Sequence, residues 1–437
     1  MADAIPVASP DSAAARRFVA YDKFLDCVHC GLCLQACPTY VELGTEMDSP
    51  RGRIYLMKGL EEGTLPMTPD VARHLDLCLG CRACETACPS GVHYGELIES
   101  ARSYVEEQHR RPLVDRLRRR AITLLFPRPQ LLRALLLPLR LLELMGILGA
   151  VRRVSASAAM LPRLRWWGPL PPVVPAHGAE QQRVGLVAGC VAQVLFAETN
   201  RATVRVLARN GCSVVTPARQ TCCGALYLHG GARRAALDCA RRNIDEFPSD
   251  VSAIVVNAAG CGAMLKEYGT LLADDPAYAA RARVFSDKVR DISEFLAALP
   301  IKPPCRPLHA RVTYHDACHL AHGQGVRDAP RQLLRQIPGV ELIELAESDT
   351  CCGSAGSYNL TEPAMARRLG DRKAANIRAT GASCVAAANP GCVMQIQASL
   401  RRAGVDATVL HPVELLDRAY LQESGEGASH SGRDTGP

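Results

Sequence analysis

A chain of 437 residues, 48% hydrophobic and 22% charged, is long enough for about three domains and too apolar to be disordered throughout. Its net charge of +7 is too small and too localised for a nucleic-acid binder, and its twenty cysteines are too dilute for a disulfide scaffold. The N-terminal MADAIPVASPDSAAARRF lacks the apolar stretch of a secretory leader, so the expected compartment is a reducing cytoplasm, where cysteines hold metal more often than they form bridges.

The first unit expected is 18–108. Cys27-x2-Cys30-x2-Cys33-x3-Cys37-Pro38 recurs there as Cys78-x2-Cys81-x2-Cys84-x3-Cys88-Pro89. Each is the bacterial ferredoxin run for a [4Fe–4S] cluster. Two-residue gaps wrap a tight loop around three corners of a cubane, and the fourth cysteine ligates the other cluster. The expected ligand sets are therefore crossed: Cys27, Cys30, Cys33 and Cys88 for one cluster, and Cys78, Cys81, Cys84 and Cys37 for the other. Structural zinc favours paired CxxC modules instead. Between the runs, MDSPRGRIYLMKGL predicts a helix with Ser49 as N-cap and Pro50 at its first position. Arg51 and Arg53 either lend positive charge to a cluster or an incoming partner, or are an ordinary helix start.

Residues 109–167 read as an Arg-rich helical connector. Within 110–165 stand thirteen arginines against only Asp115 and Glu143, a net +11 that leaves the rest of the chain at −4. Pro127, Pro129 and Pro138 are expected to break its helices into pieces. Pro138, Arg140 and Glu143 interrupt the leucine-rich stretch at 134–150, so no transmembrane span is expected. The connector reads either as a solvated cationic face over packed leucines, or as a docking surface for an acidic partner or anionic lipid headgroups, with Arg118, Arg119 and Arg120 as the docking residues. The Pro-rich stretch 168–182 reads as a linker.

The remainder is a duplicated unit, 183–305 and 306–422, followed by a tail at 423–437 that reads as disordered. Cys190, Cys222-Cys223-Gly224 and Cys261 in the first half answer Cys318, Cys351-Cys352-Gly353 and Cys392 in the second, at offsets of 128, 129 and 131 residues. Each cysteine follows a strand-like run, and helical stretches such as ETNRATVRVLARNG lie between, which predicts mostly parallel sheets. Sites in such sheets gather at the carboxyl ends of the strands. Neighbouring cysteines at a strand-to-helix turn are able to face one cluster, with Gly224 or Gly353 allowing the turn. The two sets, Cys190, Cys222, Cys223 and Cys261, and Cys318, Cys351, Cys352 and Cys392, are thus either one or two further iron–sulfur sites or buried structural cysteines. The second half is preferred, because His315 and His319 flank Cys318 as hydrogen-bond donors to its ligands. Cys212, Cys239, Cys305 and Cys384 have no repeat partner and read as ordinary buried residues.

No dinucleotide fingerprint, P-loop or hydrolase nucleophile motif is present, so neither flavin nor NAD is expected on this chain. Clusters without a hydride-handling cofactor pass single electrons and need a partner, such as a flavoprotein, that splits two-electron chemistry.

CVHCGLCLQACPTY, DSPRGRIYLMKG, CLGCRACETACPSGV, TCCGA, GCGAMLKEYG and TCCGSAGSYNL together resemble the iron–sulfur subunits of bacterial glycolate oxidase, over about residues 20–420. The resemblance implies an α+β multi-domain protein: a two-cluster ferredoxin domain, the connector, then two CCG domains. It further implies two flavin-domain partner subunits, oxidation of glycolate or D-lactate on those partners, electrons leaving towards the quinone pool, and a peripheral position on the cytoplasmic face of the inner membrane. Relatives with the same layout serve lactate utilisation, glycerol-3-phosphate oxidation and heterodisulfide reduction. A catalytic reductase or a metal-stapled assembly scaffold are therefore the rival readings. The heterodisulfide relatives carry a terminal C-x-x-C where this chain has Met264 and Gln395, which argues against their cluster type.

Overall fold

The computed structural model describes residues 18–19, 21–147 and 168–420. The tail at 423–437 and the end of the connector, where several of its arginines fall, lie outside the described residues.

The N-terminal unit is helical. Helix α1 (Pro50–Glu61) starts where its cap dictates: the Ser49 hydroxyl accepts from the Gly52 amide at 3.0 Å, and Pro50 takes the first position. It buries Ile54, Leu56, Met57 and Leu60 against α2 (Tyr94–Gln108), whose Leu97, Ile98, Ala101 and Val105 recur at helical spacing. Full burial of each large aliphatic side chain contributes about 1.5–3 kcal/mol.

The connector forms α3 (Leu113–Leu125) and α4 (Pro129–Leu144). Pro127 and Pro129 separate them, but Pro138 lies inside α4 without ending it. The interior proline removes one hydrogen bond, and Ala134, whose carbonyl loses that bond, is exposed to water. Two of the three docking arginines are engaged within the chain. Arg119 pairs with Asp76 at 3.2 Å and Glu106 at 3.6 Å, and Arg118 bonds Asp115 and reaches the Thr361 carbonyl at 3.5 Å. Arg120 is exposed.

The linker stretch carries a two-residue strand, β1 (Val173–Val174), which pairs antiparallel with β3 (Cys212–Val215). Two adjacent valines have strand propensity enough to extend an open sheet edge between prolines. With β2 (Gln182–Val187), β4 (Ala253–Val256) and β5 (Val289–Asp291), the first sheet runs β1-β3-β2-β4-β5, all parallel except β1. The second sheet repeats the plan: β6 (Ala310–His315), β7 (Val340–Ile343), β8 (Cys384–Ala387) and β9 (Thr408–Leu410) run β7-β6-β8-β9, all parallel. Both halves contribute to one core, where Leu186, Val214 and Val255 join Val312, Tyr314 and Ala386. In each half the chain leaves the central strand to one side and then the other. Such a reversal opens a crevice at the carboxyl ends of the strands.

Candidate metal centres

Two pockets in the N-terminal unit collect the ferredoxin cysteines. One is lined by Cys27, Cys30, Cys33 and Cys88, with Gly31 and Arg51. The other is lined by Cys37, Cys78, Cys81 and Cys84, with Arg53, Arg82 and Tyr94. Each therefore takes three cysteines from one run and the last from the other. The first lies near the surface, with Cys30 exposed, whereas Cys37, Cys78, Cys81 and Cys84 are buried. Burial pushes the Cys81 and Cys84 thiols up, so they stay protonated unless a metal takes the charge.

The structure decides what Arg51 and Arg53 face. Arg51 lines the outer pocket, donates to the His29 carbonyl at 3.0 Å and pairs with Glu46 at 2.6 Å. Arg53 is fully buried, with its Nη1 3.9 Å from Cys37 Sγ, its Nε on the His74 carbonyl at 2.7 Å and its Nη2 on Thr39 at 3.1 Å. A buried guanidinium needs such partners, and here it places a permanent cation beside a thiolate ligand set. Tyr94 adds a hydroxyl 3.7 Å from Cys78 Sγ.

In the first CCG half, Cys190 ends the run after β2 and Cys222 and Cys223 sit in the loop after β3. Cys261 lies in the first turn of α5 (Ala259–Lys266), after β4. Cys190 Sγ donates to Cys222 Sγ at 3.5 Å. That contact, then burial, pushes the Cys190 thiol well up. Cys223 interacts with both Cys222 and Cys261, so the four sulfurs form a continuous chain. Gly224 follows at φ +95° in the left-handed region, and an added Cβ would meet the Ala236 carbonyl at 3.2 Å.

The second half repeats this. Cys318 opens the turn after β6, Cys351 and Cys352 lie in the loop after β7, and Cys392 lies in the first turn of α7 (Pro390–Arg402), the helix after α6 (Pro363–Thr380). Cys351 interacts with Cys318 and Cys352, and Cys352 with Cys392. Gly353 has φ +88°, and a Cβ there would stand 2.6 Å from the Ala366 carbonyl. Asn389 donates to Cys392 Sγ at 3.6 Å, and His319 Nδ1 lies 3.5 Å from Cys318 Sγ. His315 does not donate to a ligand sulfur as the sequence suggested: neither ring nitrogen has a hydrogen-bond partner. Gln395, at the position of the relatives' extra cysteine, is occupied by the Ala366 carbonyl at 3.0 Å and Asn359 at 3.2 Å.

Sequence reasoning missed Lys373. It is buried on α6, where it donates to the Glu347 carbonyl and, at 3.3 Å, to that of Ser348. Burial lowers its pKa, while Cys352 and Cys351 draw it back up. Its signal was position: it stands four residues from both Leu369 and Ile377, on the apolar face of the helix. Among the unpaired cysteines, Cys212 and Cys384 are buried, Cys239 is half-buried, and Cys305 is exposed, because it lies in the irregular stretch before β6.

The inner ferredoxin pocket abuts the second half. Cys81 shares an apolar cluster with Cys318 and Cys351. After burial, Cys318 is the largest influence raising the Cys81 thiol. The Tyr358 hydroxyl fixes this junction by donating to the Leu77 carbonyl at 2.9 Å. The two halves meet where the Ala259 amide donates to the Ala388 carbonyl at 3.1 Å and Gly260 to Asn389 at 3.2 Å. The first half in turn opens on a cleft of about 710 Å³ lined by Cys222, Tyr227, Cys239, Arg128, Arg133 and Arg242, among others.

Residues 23–92 match the 4Fe-4S dicluster domain family, and residues 184–266 and 312–397 match the Cysteine-rich (CCG) domain family. The chain is 39% identical over 414 residues to the probable glycolate oxidase iron-sulfur subunit of Bacillus subtilis, covering 90% of this chain and 93% of that one. It is 37% identical over 404 residues to the glycolate oxidase iron-sulfur subunit of Escherichia coli, covering 91% and 94%. A crystal structure of a hypothetical protein from Helicobacter pylori superimposes with a TM-score of 0.55 over 95% of this chain and 77% of that one; at 9% identity the likeness is one of fold.

Proposed function

We propose a route for electrons through this chain, which belongs to the family of glycolate oxidase iron–sulfur subunits and is an electron-transfer subunit of a hydroxy-acid oxidase. Electrons enter at the outer pocket of Cys27, Cys30, Cys33 and Cys88, and pass to the inner pocket of Cys78, Cys81, Cys84 and Cys37. From there they reach the second half at Cys318, Cys351, Cys352 and Cys392, and then the first half at Cys190, Cys222, Cys223 and Cys261. Bound in these pockets, iron–sulfur clusters supply one-electron steps. The protein holds four thiolates to each site and packs the inner ferredoxin pocket on the second half. The observation that carries the reading is the packing of Cys81 against Cys318 and Cys351, which leaves no protein layer between the inner ferredoxin pocket and the second half.

The substrate in this reading is glycolate or D-lactate, oxidised on two flavin-domain partner subunits by an acceptor other than oxygen or NAD. The exposed Cys30 edge is where a flavin partner delivers electrons, and the first-half cleft is where they leave towards the quinone pool. Among the described residues no helix is long and apolar enough to cross a membrane. Peripheral contact with the inner membrane is supported by α3 and α4, which expose Leu117, Leu124, Leu135, Leu141 and Leu144 beside Arg120 and Arg128. The docking surface is thus Arg120 with these leucines, Arg118 and Arg119 holding α3 to the body of the chain.

Purified anaerobically by itself, the chain is expected to carry no flavin and to leave glycolate untouched with a dye acceptor, while the complex with flavin subunits turns over. Turnover by the isolated chain would overturn the relay. Binding to vesicles of anionic phospholipid should weaken in Leu135→Glu/Leu141→Glu and as salt rises, because exposed charges are screened over about 8–10 Å. Unchanged binding in both tests would remove the membrane role of α4.

A further inference from the structure

His315 ends β6 three residues before Cys318 and is fully buried. Both of its ring nitrogens lack a hydrogen-bond partner, a costly state for a buried polar group unless something else satisfies it. The ring lies against sulfur: a nitrogen of His315 and the Sγ atoms of Cys352 and Cys392 all stand within 4.8 Å of one another. Two donors on one tetrahedral metal, at about 2.1 Å for nitrogen and 2.3 Å for sulfur, stand roughly 3.5 Å apart. We propose that His315 is a fifth protein ligand to the metal centre of the second half, beside Cys318, Cys351, Cys352 and Cys392.

Two features suit that role. The ring is fully buried with neither nitrogen committed to a hydrogen bond, so a lone pair is free to meet a metal. The first half has Val187 at the matching place, three residues before Cys190, so the nitrogen ligand belongs to one half only.

The inference rests on the second half holding a centre at all. The test is pulsed EPR on the reduced full-length protein grown with unlabelled or 15N-labelled histidine. A nitrogen coupling of the size of a directly bound imidazole is expected, responding to the label. It should vanish in His315→Gln and in Cys352→Ser, and survive in His319→Gln and Cys223→Ser. No such coupling in the wild-type protein overturns the assignment, even if His315→Gln fails to fold. So does a coupling that persists in folded His315→Gln, or one lost in folded His319→Gln. Iron analysis separates the two levels of failure. About eight irons per chain, all retained in Cys352→Ser, would sink the second-half centre itself; iron beyond that number without nitrogen coupling would sink only the histidine.

Discussion

The second half places His315 and Lys373 beside its cysteines; the first half, counting the same distances from Cys190 and Cys223, places Val187 and Ile244. All four residues are buried. A duplicated unit has thus kept its four sulfurs, its parallel sheet and its left-handed glycine while the walls around the sulfurs diverged. Neighbours explain the divergence. The second half packs on the inner ferredoxin pocket, away from water, and buries a lysine beside its cysteines. The first half instead faces an open cleft lined by Arg128, Arg133 and Arg242. The same four-cysteine frame thus sits in two different electrostatic settings.

The widest separation between the halves is expected in turnover with flavin partners and a terminal acceptor. Cys352→Ser and Cys223→Ser should each cut throughput by at least about tenfold, equivalent to 1.4 kcal/mol in a barrier. In Cys352→Ser the electrons stop at the ferredoxin pair; in Cys223→Ser the second half stays reduced. If the second half remained oxidised in Cys223→Ser, the order of the two halves would be reversed. At the ferredoxin end, Cys37→Ser should destroy the cluster of Cys78, Cys81 and Cys84, and loss of the Cys27–Cys33 signal instead would refute the crossed ligand sets.

Backbone geometry separates the halves next. Gly353→Ala forces a Cβ to within 2.6 Å of a fixed carbonyl, and Gly224→Ala to within 3.2 Å. Both also adopt positive φ. Expected losses of stability, from thermal unfolding of the anaerobic protein, are about 2–3 kcal/mol for Gly353→Ala and about 1–2 kcal/mol for Gly224→Ala. Equal losses would show that the loop after β3 is as tightly seated as its counterpart. The smallest effect concerns Lys373. Lys373→Met should lower the potential of the second-half centre by about 60 mV, tenfold in a one-electron equilibrium, and leave the first half unmoved. A shift in both halves would mean that they act as one electrostatic unit.

The sequence discloses some of this more readily than the rest, for physical reasons. The ferredoxin ligand sets are legible because cubane geometry restricts the gaps between cysteines. The duplicated unit is legible because its cysteine offsets repeat. Lys373 is not, since its helix also carries exposed arginines, and only the packing of α6 decides which cation is buried. His315 is visible as a flanking residue, but its unpartnered nitrogens depend on what β6 and the loop after β7 bring near it. Arg118 and Arg119 look like surface charge until Asp76, Glu106 and Thr361, distant in sequence, are brought to them. Pro138 illustrates a rule outweighed by context: a helix with one side in water tolerates the lost hydrogen bond.

In the proposed relay, electrons leave the ferredoxin pair through a metal centre in the second CCG half. An EPR-monitored redox titration of the full chain, with iron counted on the same sample, tests it most directly. The account predicts more than about eight irons and at least one reducible centre beyond the two ferredoxin clusters, one that disappears in Cys392→Ser and survives in Cys261→Ser. Two reducible centres alone, with the same titration curve in Cys392→Ser as in the wild-type protein, would contradict it.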